Sequence, residues 1–115
     1  MANTFKVITK AGVTSADVIY TVAGSTTAIV LGLMLGNTTS SSITATVTLG
    51  TDTANRAGAN NETNQDVELI TSAAIPANSS LEFMGGNKII METTDTLTVT
   101  GSGAVDIALS VMEIT

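Results

Sequence analysis

The chain contains no cysteine, no histidine and no tryptophan. Without cysteine there is neither a disulfide framework nor a thiolate metal site, and the redox compartment stays open. Without histidine, imidazole acid–base catalysis and Ser-His or Cys-His nucleophile pairs are excluded within this chain. Positive charge is also scarce. Lys6, Lys10, Arg56 and Lys88 are the 4 cations against 10 carboxylates, giving a formal net charge of −6. With no basic stripe to neutralise phosphates, nucleic acid is not expected as a partner. Long hydrophobic runs are missing too: the longest, residues 28–36, is about half of the ~20 residues that cross a bilayer as a helix. Gly32 and Gly36 match the G-x-x-x-G helix-packing spacing but lack the long apolar segment that motif requires, so no membrane partner is expected. Residues 1–6 show no basic segment leading into an apolar one, and no secretory signal is expected.

What the chain does contain is alternation. Hydrophobic residues make up 43% of the sequence against 12% charged, a balance that folds rather than staying disordered. At 115 residues the expectation is a single domain spanning 1–115. In Ile43-Thr44-Ala45-Thr46-Val47-Thr48-Leu49 every odd position is apolar and every even one is threonine, a period of two that suits a strand with one buried face. Similar segments fall at residues 4–13, with a break near Lys10-Ala11-Gly12, and at 17–22, 26–37, 67–75, 81–84, 88–92, 96–100 and 104–115. Turn chemistry separates them, including Ala23-Gly24-Ser25, Pro76-Ala77-Asn78-Ser79, Gly85-Gly86-Asn87 and Gly101-Ser102-Gly103. In the third segment Ile29, Leu31, Leu33 and Leu35 share one face, and Ala28, Val30, Gly32, Met34 and Gly36 the other. Both faces are apolar, which reads as a central strand. Eight or nine short strands without a helix predict an all-β fold, an antiparallel β-sandwich that is jelly-roll-like or Ig-like, with a small barrel as the alternative.

Residues 51–65 differ in kind. They carry no apolar periodicity and gather Asn, Thr, Ala and Gly into the longest loop, a length that favours a functional role. Asp52, Asn55, Arg56, Asn60, Asn61, Glu62 and Asn64 in this loop are candidate partner contacts, together with Phe5 and Lys6 in the N-terminal segment. Their spacing does not fit an EF-hand, and no cofactor or metal is assigned. The carboxylates, spread along the chain, read as solvated surface charge. The N-x-[ST] matches at Asn37, Asn61 and Asn78 arise readily in a chain so rich in Ser and Thr. No Ser stands near a Lys in a catalytic pattern, and the chain is not expected to be an enzyme. With so few aromatics, Phe5 and Phe83 read as core residues before ligand platforms.

Four stretches carry a family resemblance: Val-Ile-Tyr-Thr-Val-Ala-Gly-Ser-Thr-Thr-Ala-Ile-Val-Leu-Gly-Leu at 18–33, Gly-Asn-Thr-Thr at 36–39, Ile-Pro-Ala-Asn-Ser-Ser-Leu at 75–81, and Asn-Lys-Ile-Ile-Met-Glu-Thr-Thr-Asp-Thr-Leu-Thr-Val at 87–99. Together they resemble small all-β virion structural proteins of tailed bacteriophages, especially marine ones. That resemblance implies a structural component of a phage particle, on capsid, neck, tail or fibre. The acidic, DNA-averse surface suits the outside of a shell, so a non-enzymatic exterior subunit made in the host cytoplasm is expected, with other virion proteins and copies of itself as partners. A capsid decoration or cement protein is the leading form. A neck, tail or fibre-attachment protein is the alternative, and a carbohydrate-binding β-sandwich module the further one, disfavoured by the sparse aromatics. The segment 2–10 and the long loop are the expected contact elements, because a small sandwich with few charges leaves its edge strands open to pairing.

Overall fold

The computed structural model describes residues 2–51, 65–82 and 87–115. Among these, nine strands and no helix occur: β1 Asn3–Val13, β2 Ala16–Thr21, β3 Thr27–Asn37, β4 Ile43–Thr51, β5 Gln65–Ile75, β6 Ser80–Glu82, β7 Ile89–Met91, β8 Thr96–Gly101 and β9 Val105–Ile114. All pairings are antiparallel. One sheet runs β1-β9-β3, with β6 and β7 both on the far side of β3, and the other runs β2-β8-β4-β5. Taking β6 and β7 as one interrupted strand, the first strand pairs with the last, the second with the second last, and so inward to the β4–β5 pair. This is a long antiparallel ribbon folded in half and rolled up, the jelly-roll form of the expected β-sandwich. The strand order is not that of an Ig domain. Each sheet also keeps two outer strands, so the chain does not close into the small-barrel alternative.

Alternation along the strands builds the core between the sheets. Ile43, Ala45 and Val47 of β4 are buried, while Leu49 is half-buried and packs against the core; Thr44, Thr46 and Thr48 are half-buried on the opposite face. On β9, Val105, Ile107, Leu109 and Val111 are all buried. Each such aliphatic side chain contributes about 1.5–3 kcal/mol by leaving water.

The third strand departs from its expected phase. Ala28 and Val30 are buried near its start, but Leu33 and Leu35 are buried near its end, so the inward parity switches midway. The cause is a β-bulge. Val30 pairs with Val111 and Gly32 with Ser110, leaving Leu31 as the extra residue that reverses the faces. Ile29 and Leu33 therefore do not share a face.

A second bulge lies where the sequence shows a break in the first strand. The β1–β9 register shifts between Lys10 and Val13. Gly12 adopts φ +66°, a left-handed conformation that glycine takes without a Cβ penalty, and its amide donates to Asp106 Oδ1 at 2.9 Å.

The polar turns are fixed by side chains. Asn37, nearly fully buried, donates from Nδ2 to the carbonyls of Ser41, Ile75 and Pro76 at 2.8, 2.9 and 3.2 Å. Its Oδ1 accepts from the amide and the hydroxyl of Thr39 at 2.9 and 2.7 Å. One side chain thus ties the β3–β4 turn to the β5–β6 turn. It also rules Asn37 out as an exposed glycosylation acceptor. Asp95 is buried against expectation, its Oδ2 accepting from the Glu92 amide at 2.9 Å while its own amide donates to Glu92 O at 3.0 Å. The carboxylate closes the turn before β8.

Candidate functional site

Residues that alternate with the core positions of the five-stranded sheet line its outer face, and the strand registers arrange them in rows across it. Phe5 pairs with Met112, Met112 with Ile29, and Ile29 with Ile90, so four apolar side chains from β1, β9, β3 and β7 form one continuous row. The next row is Val7–Ser110–Gly32, and the one beyond it Thr9–Ala108–Met34–Glu82. Nothing in the described chain covers them. Phe5 is 71% exposed, Val7 64%, Ile90 64% and Met34 44%. A Cβ added at Gly32 would meet no atom within 4 Å outside its chain neighbours, of which the bulged Leu31, half-buried and not packed against the core, shares this outer face. Contiguous exposed apolar surface of this kind marks an interaction site, whereas single exposed hydrophobes do not.

Phe5 thus stands in the site and is not a core residue, which corrects the core reading. Its strand lies at the sheet edge, where the inward positions belong instead to Lys6, Ile8 and Lys10, opposite Val111, Leu109 and Ile107. Lys6 belongs to a different arrangement. Its Nζ lies 2.8 Å from Glu113 Oε1, and the Tyr20 hydroxyl of the opposite sheet donates to Glu113 Oε2 at 2.6 Å. Glu113 continues the inward parity of Val111 and is buried, so it too departs from the solvated reading of the carboxylates. The hydrogen bond from Lys6, then that from Tyr20, holds its carboxyl below the ordinary carboxylate range. Burial, with the carboxylate beside it, pushes the Tyr20 phenol well above its usual value. This trio joins β1, β9 and β2 across the sandwich; its role is structural.

A folded-state pKa that is depressed supplies stability above the unfolded carboxylate value, ~4.3, and loses it as pH falls through the folded one. Glu113→Gln keeps an acceptor for Tyr20 but removes the charge facing a half-exposed Lys6, so a cost of about 1 kcal/mol at neutral pH is expected. Urea unfolding of both proteins should show that difference shrinking below pH 4; a gap that persists at pH 2.5 would contradict the assignment.

The loop candidates Asp52, Asn55, Arg56, Asn60, Asn61, Glu62 and Asn64 lie outside the described residues, as does Phe83. Of the sequence candidates, the structure therefore places Phe5 on the face and Lys6 behind it. Ile29, Met34, Ile90 and Met112 were not singled out as contacts. The available signal was the second apolar face of β3, which reads as covered only if a central strand must be buried on both sides. Among the described residues, no group of three or more carboxylates could hold a metal ion. Among the same residues, no helix is long and apolar enough to cross a membrane.

No family model and no curated protein matches the chain. A solved structure described as "Bacillus endospore appendages form a novel family of disulfide-linked pili" aligns with it at 16% identity and a TM-score of 0.48, over 99% of this chain and 87% of that one. This chain has no cysteine with which to form a disulfide.

Proposed function

We propose that the chain is a non-enzymatic structural subunit of a tailed-bacteriophage particle, carried on the particle exterior as a capsid decoration or cement protein. The observation that carries the structural role is the uncovered row Phe5–Met112–Ile29–Ile90, a surface built for contact with protein. The bacteriophage setting is supported by the four sequence stretches at 18–33, 36–39, 75–81 and 87–99. The jelly-roll arrangement suits it, since viral shells use this fold among many others, though fold alone does not assign function.

The rest of the molecule is consistent with attachment by broad, weak contacts repeated many times, which add through multivalency. The acidic surface suits the outside of a shell filled with DNA. The outer strands of both sheets carry features that discourage strand addition: β2 is bulged between Val18 and Tyr20, β6 and β7 are three residues each, and β1 and β5 carry specific devices. On β1 these are the inward-pointing lysines and the Gly12 bulge; on β5 they are a pair of register shifts and Ser72 at φ +46°. Contact through a face is therefore favoured over the edge pairing expected from sequence. For the carbohydrate-binding alternative Tyr20 offers no platform, its ring being buried and its hydroxyl held by Glu113, and the exposed ring of Phe5 stands in a row of aliphatic and thioether side chains without a second described aromatic.

Quantitative mass spectrometry of gradient-purified particles tests this. The chain should copurify at a fixed, multi-copy ratio to the major shell protein. Recovery only in the soluble fraction, with none in intact particles, would overturn the proposal.

A further inference from the structure

We infer that the outer face of the five-stranded sheet is covered in solution by the same face of a second copy, in a two-fold dimer whose axis runs across the strands over the row Val7–Ser110–Gly32. This deepens the reading of the chain as an assembly subunit by naming one partner of its apolar face. A two-fold interface must be complementary to itself, and three properties of this face meet that demand.

The first is extent. Four strands about 4.8 Å apart, the longest spanning about 35 Å, present on the order of 650 Å². A standard stable interface uses about 800 Å² per partner, so this face supplies most of what a dimer needs.

The second is charge. Copies of a chain with net charge −6 repel one another over most of their surfaces. On the paired rows of this face, among the described residues, the charged groups are Glu82 and Asp106, and both lie toward the same end. Lys6 and Lys10 belong to the opposite side of β1. A two-fold axis along the strands would set the acidic end of one copy on that of the other. An axis across the strands sets it instead on the row Asn3–Ile114–Thr27, whose paired members are uncharged and which meets Glu92, just past β7, at the rim; this keeps the Glu82 and Asp106 of the two copies apart and favours the geometry.

The third is shape. In that geometry the bulky row Phe5–Met112–Ile29–Ile90 lies over Thr9–Ala108–Met34–Glu82 of the other copy, with Glu82 at the rim where its carboxylate stays in water. The middle row, of Val7, Ser110 and Gly32, faces itself. The bulge adds Leu31, half-buried and not packed against the core, to this row, so apolar side chains meet across the axis, while Ser110 and Gly32 beside it leave room for two sheets to approach near the usual ~10 Å.

Sedimentation velocity on the purified chain tests this directly. The wild type should be a dimer at tens of micromolar. Phe5→Asp should weaken association by about 100-fold, since it desolvates an unpaired charge at an anchor position. It should leave the circular dichroism spectrum unchanged and melt where wild type does when diluted to its monomeric range, because Phe5 contributes little to the monomer. In this cysteine-free chain, Ser110→Cys should be linked to itself by a short bis-maleimide that spans about 10 Å, whereas Ala74→Cys on the other sheet should not. A wild type that stays monomeric, or a dimer that survives Phe5→Asp and leaves Ser110→Cys unlinked, would overturn the inference. A monomer that nonetheless copurifies with particles defeats the dimer and leaves the proposed function standing. A dimer absent from particles does the reverse.

Discussion

Replacing Asn37 by alanine is expected to lower the unfolding midpoint by about 10–15 °C, corresponding to roughly 2–4 kcal/mol for a domain of this size. The side chain sits between two turns that are remote in sequence, donating to carbonyls at 41, 75 and 76 and accepting from both donors of Thr39. Asn37 is 2% exposed, so water cannot reach in to replace it. Truncation removes all five bonds together, so that the carbonyls of Ser41, Ile75 and Pro76 fall back on the hydroxyls of Thr39, Ser42 and Ser79 while Thr39 loses its acceptor, and an under-satisfied buried group costs more than the bond itself was worth. Asn37→Asp makes a sharper control, since it keeps the acceptor toward Thr39 and loses the donors toward 41, 75 and 76. It should be at least as damaging at neutral pH. Thermal melts followed by circular dichroism check both variants, and a shift under 3 °C for either would show that the two turns hold together without the staple.

Gly101→Ala is expected to cost a similar amount, about 2–3 kcal/mol, for a steric reason. A Cβ at this position would lie 2.6 Å from the carbonyl oxygen of Val13, 2.7 Å from that of Gly103 and 2.8 Å from Val105 Cγ2. Two of the three are backbone atoms, one at the end of β1 and one in the turn before β9, so relief requires moving a strand end or a turn rather than a rotamer. Gly36→Ala is the matched comparison. There the nearest atom is Asp106 O at 3.7 Å, an ordinary contact, and the substitution should fall within about 0.5 kcal/mol of wild type. Equal melting temperatures for the two variants would contradict the packing described at Gly101.

The strands were largely legible in the sequence because their inward and outward residues differ in chemistry. In β4 threonine and aliphatic residues alternate, so one register alone buries the aliphatics, and the expected faces are the observed ones. In β3 both parities are apolar. Any phase gives a greasy inward face, and the Leu31 bulge that switches it leaves no mark in the pattern. The same ambiguity hid the site, since a second apolar face reads identically whether another layer covers it or solvent meets it. Phe5 was misread because aromatic residues are usually core. Its exposure follows from β1 being an edge strand whose inward positions are held by Lys6 and Lys10, a fact about sheet order rather than local sequence. Glu113, by contrast, carried a signal that was there to read: it falls two residues past Val111 on the parity of every buried residue of β9.

Methionine oxidation offers the most direct test of the claim that this chain works through the outer face of its five-stranded sheet. Met34 and Met112 lie on that face, and Met91 is buried in the core, so three native probes report on cover and core together. Hydroxyl-radical or peroxide footprinting read by mass spectrometry should show Met34 and Met112 oxidising several-fold more slowly in wild type at assembling concentrations than in Phe5→Asp, with Met91 slow in both. Met34 and Met112 reacting at equal rates in the two proteins would mean that nothing covers this face, and would contradict the account.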